Sequence, residues 1–165
     1  EAKDADEAGR IWLGRKSAFG AMGNINDYMC LDGTIPVNEL PYVLKRIGEM
    51  SKEFGLDVAN VFHAGDGNMH PLILFDANKP GDLELCEQFG AEILKLCVEV
   101  GGCLTGEHGV GIEKRDLMLD QYAPADLEAQ MAMKDVFDPD WLLNPAKVFP
   151  LTSSEARRVM RMAAE

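Results

Sequence analysis

The apolar residues of this chain fall into two different rhythms. Leu40, Val43, Leu44, Ile47 and Phe54 recur every three or four positions, which predicts a helix with one buried stripe. Pro36 and Asn38 set up its start, Pro41 is tolerated in its first turn, and Gly55 closes it. Leu85, Phe89, Ile93, Leu96 and Val100 repeat the pattern over Asp82–Val100, between Pro80-Gly81 and Gly101-Gly102. Between these helices lie two short apolar runs, Asp57–His63 and Met69–Phe75, joined by Ala64-Gly-Asp-Gly-Asn68. Apolar runs separated by turn residues predict a β-hairpin. Ala59 and Val61 fall on one face of the first run and Val58 and Phe62 on the other, so a strand buried on both sides, or central in a sheet, is expected.

The remaining segments are shorter or less regular. Ala5–Phe19 reads as a helix with Ile11, Trp12 and Phe19 as its apolar positions, ending in the glycine-rich Gly20–Gly23. Asn26–Ile35 reads as a strand bent at Asp32-Gly33. A second glycine-rich loop, Thr105–Gly111, is followed by a helical stretch over Pro124–Phe137 and then by Asp138–Pro145. A basic helical tail starts at Ser153 and carries Arg157, Arg158 and Arg161. This order predicts an α+β fold: a ferredoxin-like antiparallel sheet with helices on one face, plus a C-terminal helical segment. One domain is expected over residues 1–150, with a helical tail over 151–165.

Length and charge narrow the function. A chain of 165 residues holds one domain with a sizeable core, or the larger piece of a truncated one. Its formal net charge of −12 argues against nucleic acid and against an anionic membrane surface, both of which need clustered Lys and Arg. Any site for an acidic substrate must therefore be a local positive exception. No apolar run approaches the roughly 18–20 residues that span a bilayer, and no signal peptide is visible. The chain starts at Glu1 without an initiator Met, which suggests an excised piece. Cys30, Cys86, Cys97 and Cys103 lack metal-binding spacing; Cys86 and Cys97 fit buried positions on a helix, and a reducing compartment is expected.

The chain has three histidines, His63, His70 and His108, and all lie in the two glycine-rich segments, HAGDGNMH and TGEHGVG. If the hairpin pairs His63 with His70, their Cβ atoms lie about 5 Å apart on one face, close enough for two imidazoles to share a divalent cation. Gly65 and Gly67 let the loop between them turn with positive φ. Catalytic metal sites typically take three protein ligands and keep a position open, which makes Glu107 the candidate third ligand. In an extended backbone Glu107 and His108 diverge, one facing the metal and the other a bound substrate. A near-neutral imidazole suits the general base, so that role falls to His108. The alternative is a structural turn, with Asp66 or Asn68 as its cap and the histidines without a ligand.

At these residues the chain resembles a known family. HAGDGNMHP (63–71), GGCLTGEHGVGIEKRDLM (101–118) and FDPDWLLNPAKVFP (137–150) are similar, in order, to segments of the C-terminal domain of FAD-linked oxidases. That family includes glycolate oxidase D subunits, D-lactate dehydrogenases and D-2-hydroxyglutarate dehydrogenases. WLGRKSAFGA (12–21) and the Asp32…Pro36 pattern extend the resemblance over residues 10–150, with the glycolate oxidase D type the nearest likeness. The resemblance implies that His63, His70 and Glu107 hold a divalent metal, usually zinc, and that His108 is the catalytic base. It implies that Arg15 pairs with a substrate carboxylate, where a bidentate guanidinium is apt. It also implies that Asn144 lies close to the flavin; Lys147 belongs to the same motif. Some relatives carry a Lys where this chain has Cys30, which favours a monocarboxylate such as glycolate or lactate.

The implied activity is oxidation of a small 2-hydroxy acid to a 2-oxo acid, with hydride transfer to FAD. The flavin would be bound mostly by an N-terminal FAD domain absent from this chain, leaving the fragment inactive alone. The implied setting is cytoplasmic or organellar, peripheral at the inner membrane through partner subunits, one of them an electron-transfer subunit. Two other readings use the same residues: a stand-alone metal-dependent hydrolase, and a non-catalytic binding subunit with structural histidines.

Overall fold

A computed structural model describes residues 1–151; the helical tail expected from Ser153 lies outside the described residues. Helix α1 (Ala5–Gly23) is capped by Asp4, whose side chain accepts a hydrogen bond from the Glu7 N–H. Strands β1 (Asp27–Cys30) and β2 (Gly33–Thr34) follow, then a single 3-10 turn at Val37–Glu39 and helix α2 (Leu40–Phe54). Next come β3 (Val58–Asn60), β4 (Asn68–Met69), β5 (Pro71–Phe75) and α3 (Asp82–Glu99). The chain continues through a short α4 (Met118–Gln121) to α5 (Pro124–Phe137).

The fold is α+β. Strand β5 is central in an antiparallel sheet of order β1-β5-β3, and β2 pairs with β4 in a second antiparallel ladder. Both ladders keep one register: Cys30 opposes Leu72, and Gly33 opposes Met69. A bridge between Thr34 and Cys103 adds a last strand-like segment beside β2. The resulting order is that of the split βαβ units expected from the sequence.

Alternation along residues 68–75, from β4 into β5, divides the molecule. Met69 and Ile73 face the main core, where Val43, Ile47 and Met50 of α2 meet Phe89, Ile93 and Leu96 of α3. Phe89 is fully buried and stacks on Phe54 with centroids 5.0 Å apart. His70, Leu72 and Leu74 point to the opposite face, the one that α1 approaches. Phe19 of α1 lies 6.4 Å from the Tyr28 ring and 6.4 Å from the His70 ring, so α1 lies over that second face. The strand expected to be buried on both sides, or central in a sheet, is β5. Leu72, Ile73 and Leu74 are buried, whereas edge strand β3 is half-buried, with Asn60 exposed.

No residue of α1 is buried, and Ile11, Trp12 and Leu13 stand exposed because three consecutive apolar positions cannot share one helical face. A small second cluster joins Met131 of α5 to Trp141 and Phe149, with Lys134 over the Trp141 ring at 5.2 Å. No helix among the described residues is long and apolar enough to cross a membrane. Truncating Phe89 to Ala is expected to cost about 3–5 kcal/mol through the cavity it leaves. Phe137→Ala, at a side chain 79% exposed, is expected to change stability by less than about 0.5 kcal/mol. Urea unfolding of the two variants against wild type checks the contrast.

Candidate metal and substrate site

The site forms where the two ladders meet. Continuing their register across the gap puts Asp32 opposite His70. The His70 Nδ1 lies 3.0 Å from the Leu31 carbonyl oxygen, and its Nε2 lies 2.9 Å from Glu107 Oε1. His70 is 3% exposed, while Glu107, His108 and His63 are exposed. The His108 ring stacks on that of His70, with centroids 5.1 Å apart and 18° between planes.

His63 opposes Asn68, with its N–H 3.0 Å from the Asn68 carbonyl, and Val61 bonds the His70 carbonyl. The histidines are therefore diagonal neighbours offset by two residues, and the direct cross-strand pairing expected from the sequence does not form. They still share a face, as the even offset requires, and their rings lie 5.7 Å apart at 81°. Of the two glycines expected to need positive φ, only Gly67 has it, at 71°. A Cβ there would lie 2.1 Å from the Ile35 carbonyl oxygen, whereas nothing lies within 4 Å of one added at Gly65.

The expected divergence of Glu107 and His108 is absent as well. Their backbone is not extended but curls around a carboxylate. Asp32 accepts from the N–H groups of Gly106 (2.9 Å), Glu107 (3.0 Å) and His108 (2.8 Å) and from the Thr105 hydroxyl (2.7 Å). Three successive N–H groups aimed inward leave both side chains free to meet at His70.

Asp32 is fully buried and Lys114 is 5% exposed; Lys114 Nζ lies 3.4 Å from the carboxylate and 3.2 Å from the Asp32 carbonyl. Burial alone would raise the Asp32 pKa, but the hydrogen bonds from Thr105 and the 106–108 backbone hold it far below the usual carboxylate range. Burial also pulls Lys114 below the usual lysine range, against the opposing pull of Asp32. In the sequence Asp32 registers as a bend and as part of the Asp32…Pro36 pattern, with no role assigned to it. The available signal was a carboxylate directly after the apolar run Tyr28–Leu31, where Asp is disfavoured in a strand.

One donor from each of Asp32, His70, Glu107 and His108 lies within 4.8 Å of all the others, and His63 stands outside this group. The donor set suits a cation. Nδ1 of His70 faces the Leu31 carbonyl, which orients the ring so that Nε2 is turned toward Glu107, the placement a ligating imidazole takes. Nearby, Asn68 Oδ1 is buried with no hydrogen-bond partner.

Arg15 sits four residues before Phe19 on the same face of α1, and no carboxylate lies within ion-pair distance of it among the described residues. Asn144 makes none of the cluster's contacts. It is exposed, at φ 50°, on a loop held by Arg115 to the Ala146 carbonyl (2.8 Å) and by Lys134 to the Leu143 carbonyl (2.9 Å).

The family model for the C-terminal domain of FAD-linked oxidases matches residues 1–148. The chain belongs to this family. It is 55% identical over 150 residues to the glycolate oxidase subunit GlcD of Escherichia coli K12, covering 90% of this chain and 30% of that protein. It is 31% identical over 161 residues to the mitochondrial D-lactate dehydrogenase [cytochrome] 1 of Saccharomyces cerevisiae, covering 93% and 27%. It is 37% identical over 126 residues to the D-2-hydroxyglutarate dehydrogenase of Stutzerimonas stutzeri, covering 72% and 26%. The chain thus spans less than a third of the length of each of these relatives.

Gly67→Ala is expected to destabilise the chain by about 1–3 kcal/mol or more, from left-handed strain and the approach to Ile35. Gly65→Ala is expected to be near neutral. Thermal unfolding of both variants reads the difference.

Proposed function

We propose that this chain is the substrate- and metal-binding domain of an FAD-dependent 2-hydroxyacid dehydrogenase of the glycolate oxidase D-subunit type. The observation that carries the reading is the His70 ring, locked by the Leu31 carbonyl with Nε2 against Glu107, in a chain of this family. The histidine pair on one sheet face and Arg15, one turn before Phe19 on α1 and without an ion pair among the described residues, supply the remaining parts.

In this reading His63, His70 and Glu107 hold a divalent cation, zinc in the simplest case. When bound, such a cation polarises the substrate hydroxyl and lowers its pKa. Arg15 holds the substrate carboxylate through its guanidinium fork, the local positive charge that a chain of net charge −12 needs. His108, exposed and stacked on His70, takes the hydroxyl proton.

FAD, held chiefly outside this domain in this reading, would supply the acceptor for the hydride of the substrate Cα. Asn144, exposed and without a side-chain hydrogen bond among the described residues, offers it a free polar contact beside exposed Leu142 and Leu143. Family membership favours this reading over a stand-alone hydrolase. The four free cysteines suit a reducing cytoplasmic or organellar compartment, with an electron-carrying partner subunit to reoxidise the flavin.

The four-donor group favours one variant assignment, in which His108 ligates in place of His63. Zinc titration of the chelator-stripped chain, followed calorimetrically, is expected to show one site that His70→Ala abolishes; no binding by wild type overturns the metal reading. In the full-length flavoprotein, screened against a panel of 2-hydroxy acids, His108→Ala is expected to keep its metal and lose about 100-fold or more in kcat. Near wild-type turnover overturns the base assignment. Metal lost in His108→Ala but kept in His63→Ala supports the variant assignment.

A further inference from the structure

Asp32 and Lys114 form a buried ion pair to which the proposed reaction gives no task. Placing two charges out of water is costly unless the geometry and the added hydrogen bonds compensate. Here the compensation comes from one loop. Asp32 Oδ2 receives Thr105 Oγ1 and the N–H groups of Gly106, Glu107 and His108, while the Asp32 carbonyl receives a further bond from the Gly106 N–H at 3.1 Å. Thr105 Oγ1 in turn accepts from the Gly109 N–H at 2.9 Å. Four consecutive N–H groups of the loop are thereby directed at one carboxylate and its hydroxyl partner.

We propose that Asp32 is a positioning residue: its carboxylate, balanced by Lys114, winds the 105–109 loop into the shape that delivers Glu107 and His108 to His70. The proposal rests on the metal reading above. Asp32 lies close enough to the other donors to be taken for a ligand itself, but Oδ2 is occupied by the loop and the Lys114 ammonium, and Oδ1 accepts from the Glu107 N–H at 3.2 Å. Its place opposite His70 gives it another use. His70 lies between β4 and β5 and Asp32 between β1 and β2, so the register that the two ladders share aligns the two halves of the site.

The test measures zinc affinity of the 165-residue chain by competition with a chromophoric chelator, together with the visible spectrum of the cobalt-loaded chain. Far-ultraviolet circular dichroism serves as the folding check. Asp32→Asn and Thr105→Val are each expected to stay folded and to weaken zinc binding by about 10–100-fold, as loss of an outer partner does. Both are expected to alter the cobalt bands. Thr105→Val carries the test if Asp32→Asn does not fold, because it leaves the ion pair intact.

Wild-type affinity and an unchanged cobalt spectrum in folded Thr105→Val overturn the proposal. So does weakening in Asp32→Asn alone, which marks Asp32 as a direct ligand. If wild type binds no zinc, the metal reading and this one fall together; if wild type binds and both variants bind equally, only this one falls.

Discussion

The register of β5 is the constraint on which the rest depends. Because β5 pairs antiparallel with a strand on each side, a single choice of partners fixes what surrounds His70. It puts Asp32 opposite the imidazole on one side and His63 diagonally across on the other. A slip of one residue would turn His70 into the main core and bring Met69 to the surface, exchanging an imidazole for a thioether. Burial of Ile73 and Met69 against α2 and α3 makes that slip expensive, so the hydrophobic core sets the geometry of a polar site on the other side of the sheet.

That coupling explains what was legible in the sequence. The periodicity of Leu40–Phe54 and Asp82–Val100 marked both core helices to within a residue or two of their observed ends. The hairpin and the α+β order followed from turn chemistry between apolar runs. The concentration of all three histidines in two loops marked the site, because glycine-rich segments bring side chains together that periodic elements would keep apart.

What stayed hidden depends on contacts between distant segments. Asp32 meets residues more than seventy positions away, and no local pattern announces such a bond. The same bonds curl residues 106–108, which is why strand alternation misplaces Glu107 relative to His108. The hairpin offset of two residues escaped for a related reason: loop length permits either pairing, and the β1–β5 and β3–β5 ladders choose between them. The side on which α1 lies was equally invisible, since its apolar residues Ile11, Trp12 and Leu13 define no stripe.

The bond between the His70 Nδ1 and the Leu31 carbonyl has a thermodynamic consequence. Folding has already spent the rotational freedom of that buried imidazole, whereas the exposed side chains of Glu107 and His63 retain theirs in water. On the proposed metal reading, His70 would offer a donor already immobilised by folding, and the exposed donors would give up their side-chain freedom to join it.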